Sequence, residues 1–198
     1  MKTTAKLVAA ASVLVLICAF ESTMAQDKPE PKNSNIGLKL NLGLGSQDFT
    51  AAQELEEDGA ASLNLGYGVS QRVTLWLGAQ SGEFQHTNDA QFTSHWVGLE
   101  FDVQYKFRPE QKFRPYGKIG LGTAFLGNKE TDIVLNGGGV TWALGAEYRL
   151  TRFLSVGGEF YWKDFEYRQQ QVGEDDFKDL PSALEGDTRG FMLNFTLH

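Results

Sequence analysis

From Ile36 onward the chain sorts its residues with a period of two. Ile36, Leu38, Leu40, Leu42 and Leu44 alternate with Gly37, Lys39, Asn41, Gly43 and Gly45. A helix would spread these leucines around all its faces, whereas a strand collects them on one side. The same sorting recurs from Ala61 to Val69, Val73 to Ala79, Val97 to Phe107 and Ile119 to Phe125. It returns from Val140 to Leu150, Leu154 to Trp162 and Phe191 to Leu197. The pattern predicts eight strands and no helix.

The connections between these segments alternate in length. Ser70 to Arg72, Arg108 to Lys112 and Thr151 to Phe153 are tight links of 3, 5 and 3 residues. Ser46 to Gly59, Ser81 to Ser94, Leu126 to Gly138 and Asp164 to Asp187 run to 14, 14, 13 and 24. In an antiparallel up-and-down barrel every second connection lies on the same rim, so this rhythm puts the long loops at one end and both termini with the short turns at the other. An immunoglobulin-type sandwich, with Greek-key crossovers, has no reason for it.

Alternation alone does not say which face is outside; a secreted lipocalin-like soluble binding barrel has its apolar face inside, a membrane barrel outside. Three features favour the second. The polar face is rich in glycine, as a crowded lumen requires. It carries charges of both signs: Lys39, Glu100, Asp102, Lys106, Arg114, Lys118, Glu147, Arg149, Glu159 and Lys163, with Arg189 read onto the same face. Enclosed charges must pair, and a hairpin through Arg108 to Lys112 is expected to set Lys118 opposite Asp102 and diagonal to Glu100. Aromatics also gather near both ends of the apolar face: Tyr67, Tyr105, Phe107, Phe113 and Tyr148 by the short turns, and Phe125, Trp142, Phe160 and Trp162 by the long loops. Two such belts suit the two interfaces of a bilayer. The expected fold is an all-β, eight-stranded antiparallel up-and-down transmembrane β-barrel.

The N-terminus adds an export signal. Lys2 and Lys6 precede an apolar run from Leu7 to Phe20, 14 residues, shorter than the ~20 a spanning helix needs, and Ser22-Thr23-Met24-Ala25 follows as a cleavage site. The chain is therefore divided into a cleavable signal peptide, 1–25, a short polar periplasmic tail, 26–34, and the barrel, 35–198. The single cysteine, Cys18, falls in the signal. A disulfide scaffold, a thiol enzyme and a cysteine-ligated metal are thereby excluded from the mature chain. The formal net charge of -7 argues against a nucleic-acid partner, which needs a basic face.

The segment Arg114-Pro115-Tyr116-Gly117-Lys118-Ile119-Gly120-Leu121-Gly122, the Gly66-Tyr67-Gly68 ending of the second strand and the closing alternation Phe191 to Leu197 resemble the outer-membrane β-barrel family of OmpA, OmpX and OmpW type domains, over essentially the whole mature chain. The resemblance implies a bacterial outer-membrane location, contact with outer-membrane lipids and lipopolysaccharide, and insertion by the barrel assembly machinery through a C-terminal recognition strand. The chain departs from the family's usual aromatic last residue, finishing Thr196-Leu197-His198.

Candidate chemistry is sparse. The four long loops hold 17 acidic and 3 basic residues, which polarises the barrel along its axis and offers a surface for a partner. Glu54, Glu56, Glu57 and Asp58, and Glu174, Asp175, Asp176 and Asp179, have no calcium-loop spacing, so no metal site is assigned. Ser94-His95 is the sole adjacent pair of nucleophile and base, and strand neighbours face opposite sides; neither a catalytic residue nor a cofactor is expected. Two roles remain: a barrel plugged by its own side chains, with a structural or surface-interaction role, or a narrow channel for small or hydrophobic solutes. Inward Trp76, Trp96, Tyr116 and Tyr161 favour the plug.

Overall fold

The computed structural model describes residues 35–49, 55–56, 58–86, 89–128 and 130–198; the expected signal peptide, 1–25, and tail, 26–34, lie outside the described residues. Among the described residues there are nine strands: β1 (Gly37–Phe49), β2 (Leu55–Glu56), β3 (Asp58–Gly68), β4 (Val73–His86), β5 (Asp89–Lys106), β6 (Phe113–Asn128), β7 (Ile133–Arg149), β8 (Leu154–Val172) and β9 (Lys178–Leu197). Among the described residues there is no helix.

Eight of the strands close into a ring. β1 pairs with β3, each later strand pairs with its successor through to β9, and β9 returns to β1 with Leu42 opposite Phe195 and Gly45 opposite Met192. Every pairing is antiparallel. The two-residue β2 is a ninth strand that the alternation did not announce, laid against the end of β4 with Leu55 opposite His86. A closed ring leaves no edge, so the backbone groups of all eight strands find partners without a covering layer.

The period-two pattern now acquires a direction. Leu38, Leu42, Leu44, Leu65, Leu77, Leu144 and Leu193 are all exposed on the outer face, Leu38 by 70%, while Lys39, Asn41, Thr74, Asp102 and Asn194 between them are buried. Tyr67, Phe107, Phe113 and Tyr148 stand exposed near the short turns and Trp142, Phe160 and Trp162 further along the wall. At the seam, a Cβ on Gly45 would run into the backbone of Phe191; glycine there lets β1 and β9 meet. Gly37 opens β1 at φ 117°, a conformation that side chains rarely adopt.

The long connections are shorter than expected, because most of 46–59, 81–94, 126–138 and 164–187 is strand. The reason is a reversal of polarity. Beyond the apolar band, outward positions become Ser81, Glu83, His95, Glu166 and Arg168, and inward positions become Phe84, Trp96, Ala124, Phe165 and Tyr167. These inward residues form an apolar cluster, with Leu126 and Leu135 against it and Trp96 edge-on to Phe165 at 5.8 Å. The hairpins thus carry a small water-soluble-type core above a band of opposite polarity.

Candidate functional site: the charged lumen

Alternation aims the same parity of every strand inward, so charged residues from β1, β5, β6, β7 and β8 converge inside the ring. All ten candidate residues lie on this face, and nine of them are classed among the buried residues; Lys118 keeps 15% side-chain exposure. Lys106 and Arg114 are fully buried and Asp102 is 1% exposed, so water cannot solvate them and neighbouring side chains must.

They fall into two tiers. The middle tier joins Glu100, Asp102, Lys118, Glu159 and Lys163. Lys118 Nζ donates to Glu159 at 2.8 Å and lies 3.7 Å from Asp102, and Lys163 pairs with Glu100. Neutral groups complete the network. The Tyr116 hydroxyl donates to Glu159 at 3.0 Å, Lys163 to the Gln80 carbonyl at 2.7 Å, and Trp76 Nε1 to Gln104 at 3.0 Å. The Lys163 ammonium also sits 5.0 Å over Trp96 and 5.1 Å over Tyr161, which ties the charged tier to the apolar cluster above by cation–π attraction.

The second tier, by the short turns, contains Lys39, Lys106, Arg114, Glu147 and Arg149. Glu147 accepts from Lys106 at 2.7 Å and lies 3.5 Å from Arg114. Lys106 also donates to Asn35 Oδ1 at 2.8 Å. Lys39 Nζ meets His198 Nδ1 at 2.7 Å, and the other ring nitrogen lies 2.8 Å from Ser155 Oγ; a lysine donor at Nδ1 makes Nε2 the donor to serine. Arg149 donates from Nε and Nη2 to the carbonyls of Thr151 and Arg152 at 3.2 and 2.8 Å, clasping the turn that follows it. A void of about 40 Å³ lies in the lumen, bordered by Asn64, Trp76, Glu100, Lys118, Thr141 and Glu159 among others. That is room for a few water molecules at ~10–15 Å³ each.

Three expectations need correction. Lys118 stands opposite Gln104, and Asp102 opposite Gly120. The pairing of β5 with β6 begins at Lys106 opposite Tyr116 rather than at Phe107 opposite Phe113, so the register slides by two residues, which keeps Lys118 on the correct face and diagonal to Asp102. Glu100 consequently turns to Lys163 on β8 across the lumen. Arg189 is outside the lumen: it is exposed, paired in register with Trp162 and Asp48 on the outer surface, while the buried Thr188 faces inward. Arg189 shares the parity of Phe191 and Phe195, and the period of two puts it on their side. As expected of strand neighbours, Ser94 is buried while His95 lies 3.1 Å from Glu83, on the opposite face. Near the last hairpin Asp175 is held by Lys178 at 2.9 Å and Asp179 by Gln169 at 3.2 Å; among the described residues no acidic group clusters as a metal site. The side chains of Glu54, Glu56, Glu57 and Asp58 lie outside those described. Gln80, Gln104, Asn35 and His198 escaped the reading of the lumen, although Gln80 and Gln104 lie on the inward parity of β4 and β5, and Asn35 and His198 continue that of β1 and β9 just beyond their ends.

A family model described as outer membrane protein beta-barrel domain matches residues 10–196. The chain belongs to that family. This barrel is therefore a protein of the bacterial outer membrane, and its outward leucines face lipid. Among solved structures it resembles Neisserial surface protein A, with a TM-score of 0.59 at 9% identity over 81% of this chain and 96% of that one. It also resembles outer membrane protein OprG from Pseudomonas aeruginosa, with 0.54 at 12% over 85% and 98%. The attachment invasion locus protein Ail of Yersinia pestis gives 0.51 at 9% over 82% and 98%. At such identities the likeness speaks for the outer-membrane barrel fold alone. Among curated proteins the sequence finds no match.

Proposed function

We propose that this protein is a closed structural barrel of the outer membrane, plugged by its own side chains, whose acidic hairpins serve surface contact. The carrying observation is the two-tier network of buried ion pairs around a void of about 40 Å³. An eight-stranded ring has a lumen that side chains can fill, and here long charged ones do so in pairs. In this reading residues 1–25 are a cleaved export signal, both termini and the short turns face the periplasm, and the long hairpins face outward. The partners it implies are outer-membrane lipids and lipopolysaccharide, the barrel assembly machinery during insertion, and a surface partner met through the acidic hairpins. No catalytic step belongs to it. Liposomes carrying the refolded protein should swell in a small sugar no faster than empty ones; rapid swelling refutes the plug.

A second reading has one observation in its favour. On the wall near the hairpins, small residues including Gly45, Ala60, Ala61, Ser81 and Gly82 border a groove of about 560 Å³ beside Trp96, a size suited to a small apolar ligand. Under that reading apolar solutes enter the upper barrel, and swelling would be seen with them alone.

A further inference from the structure

The two rims of the barrel differ in charge. The three short turns hold four cations, Arg72, Arg108, Lys112 and Arg152, against one carboxylate, Glu110. The connections at the other end, 46–59, 81–94, 126–138 and 164–187, hold 17 acidic residues and 3 basic ones. Arg108, Lys112 and Arg152 are exposed, and among the described residues none of these three is in an ion pair.

Each of the three adjoins an exposed phenylalanine at the edge of the apolar wall: Phe107 precedes Arg108, Phe113 follows Lys112, and Phe153 follows Arg152. The Arg152 guanidinium lies 4.4 Å over the Phe153 ring. The turns are also neighbours along the rim. Phe113 stands opposite Tyr148, and the Arg149 N–H donates to the Lys112 carbonyl at 2.8 Å, so Lys112 lies beside the strand end that leads into Thr151 and Arg152. On the other side the Lys106 N–H donates to the Arg72 carbonyl at 2.8 Å, and Arg72 Nη1 donates to the Tyr105 hydroxyl at 2.9 Å. An arc of cations thus follows the rim from β4 to β8, one residue away from the rings. Aromatic side chains at a barrel's edge sit at the level of the lipid headgroups, and a long cationic chain beside them reaches the phosphates while its stem stays on apolar surface.

We propose that the short-turn rim takes anionic phospholipids in preference to zwitterionic ones, with Arg108, Lys112 and Arg152 at the headgroup phosphates and the adjoining phenylalanines among the upper acyl chains. Charge complementarity and the place of the arc, against lipid and at the level where headgroups begin, argue for this occupant. The surface is separate from the plug function: it holds whether or not the lumen conducts.

The test refolds the full mature chain into phosphatidylcholine vesicles and adds spin-labelled phosphatidylglycerol or spin-labelled phosphatidylcholine as the probe; electron paramagnetic resonance reads the fraction of each held at the protein surface. One cation near the surface favours an anionic lipid by about fivefold. Averaged over a lipid shell that mostly meets neutral wall, the wild type should prefer phosphatidylglycerol by roughly twofold or more. In 1 M salt, where the Debye length is about 3 Å, the preference should fall toward one. The triple variant Arg108→Gln/Lys112→Gln/Arg152→Gln should lose it, whereas Arg168→Gln/Lys178→Gln, at the other end of the barrel, should keep it. Glu110→Gln removes the one carboxylate of the short turns and should raise the preference, which supplies a comparison of opposite sign where the triple variant does not refold. Equal binding of the two lipids by the wild type overturns the proposal, and is the outcome expected if the rim serves an acidic soluble partner. A preference that the triple variant retains, or that Glu110→Gln leaves unchanged, overturns it too.

Discussion

Replacing Lys118 by methionine removes one charge and keeps most of the side-chain volume, so it isolates the ionic contribution of the middle tier. Lys118 Nζ lies 2.8 Å from Glu159 and 3.7 Å from Asp102. At an effective dielectric of about 20 these separations correspond to gross attractions of ~6 and ~4.5 kcal/mol. Much of that is offset by the desolvation already incurred, and Lys118 keeps 15% exposure, which screens it further. The cost of the substitution is then set by what is left behind. Asp102 has no hydrogen-bond partner on Oδ1 and 1% exposure, so it loses its nearest cation and gains nothing. Glu159 retains only the Tyr116 hydroxyl, and Lys163 is already committed to Glu100. Orphaning carboxylates in a buried pair is worth ~3 to 5 kcal/mol. Urea unfolding of the refolded protein from lipid vesicles should lose that amount, and the double variant Lys118→Met/Asp102→Asn should recover part of it. A loss below ~1 kcal/mol is what an exposed pair gives; it would mean that the lumen is wet and the reasoning fails.

The orientation assigned to the barrel predicts that protease added to intact cells cuts the turn around Gly173 to Phe177 and spares Arg108 to Lys112; cleavage at the latter from outside would reverse the topology. Gly45→Val should weaken closure of the ring by ~1 to 3 kcal/mol through overpacking against the Phe191 backbone, read as loss of the compact, heat-modifiable band on electrophoresis. An unchanged band and midpoint would show that the β1–β9 seam has slack. Trp96→Ala should cost ~3 to 5 kcal/mol although Trp96 lies above the apolar band, because it packs edge-on against Phe165 and under the Lys163 ammonium. A near-neutral result would mean that the hairpin cluster is no core.

The alternation of leucine with glycine and lysine in β1 sufficed to place the wall, and the rhythm of short and long connections sufficed to order the strands. What it could not do was say where the strands stop. Past Trp162 the pattern continues as Asp164, Glu166 and Arg168 against Phe165 and Tyr167, still with period two but with the polar set outside. A search for apolar outward residues reads that inversion as the end of a strand, when it marks the end of the lipid. The lumen residues were legible for the same reason as the wall, since inward parity is one bit per strand. Their pairing was not, because it depends on register and on contacts across the ring. A slide of two residues moves Lys118 from Asp102 to Gln104 without changing any face, and the Lys163–Glu100 pair joins β8 to β5 across the barrel interior. Arg189 shows the converse: its neighbours in sequence include a glycine and a threonine, which mask the parity that Phe191 and Phe195 fix.

The central claim is that paired side chains close the lumen, and single-channel recording in planar bilayers tests it most directly. On this account the native protein should show no steady conductance, since buried ion pairs and the aromatic rings of Trp76, Tyr116 and Tyr161 would occupy the path through the ring. The double variant Arg114→Ala/Lys118→Ala removes one long cation from each tier and should open a measurable current. Steady conductance by the native protein, unaltered in size by the double variant, would contradict the account.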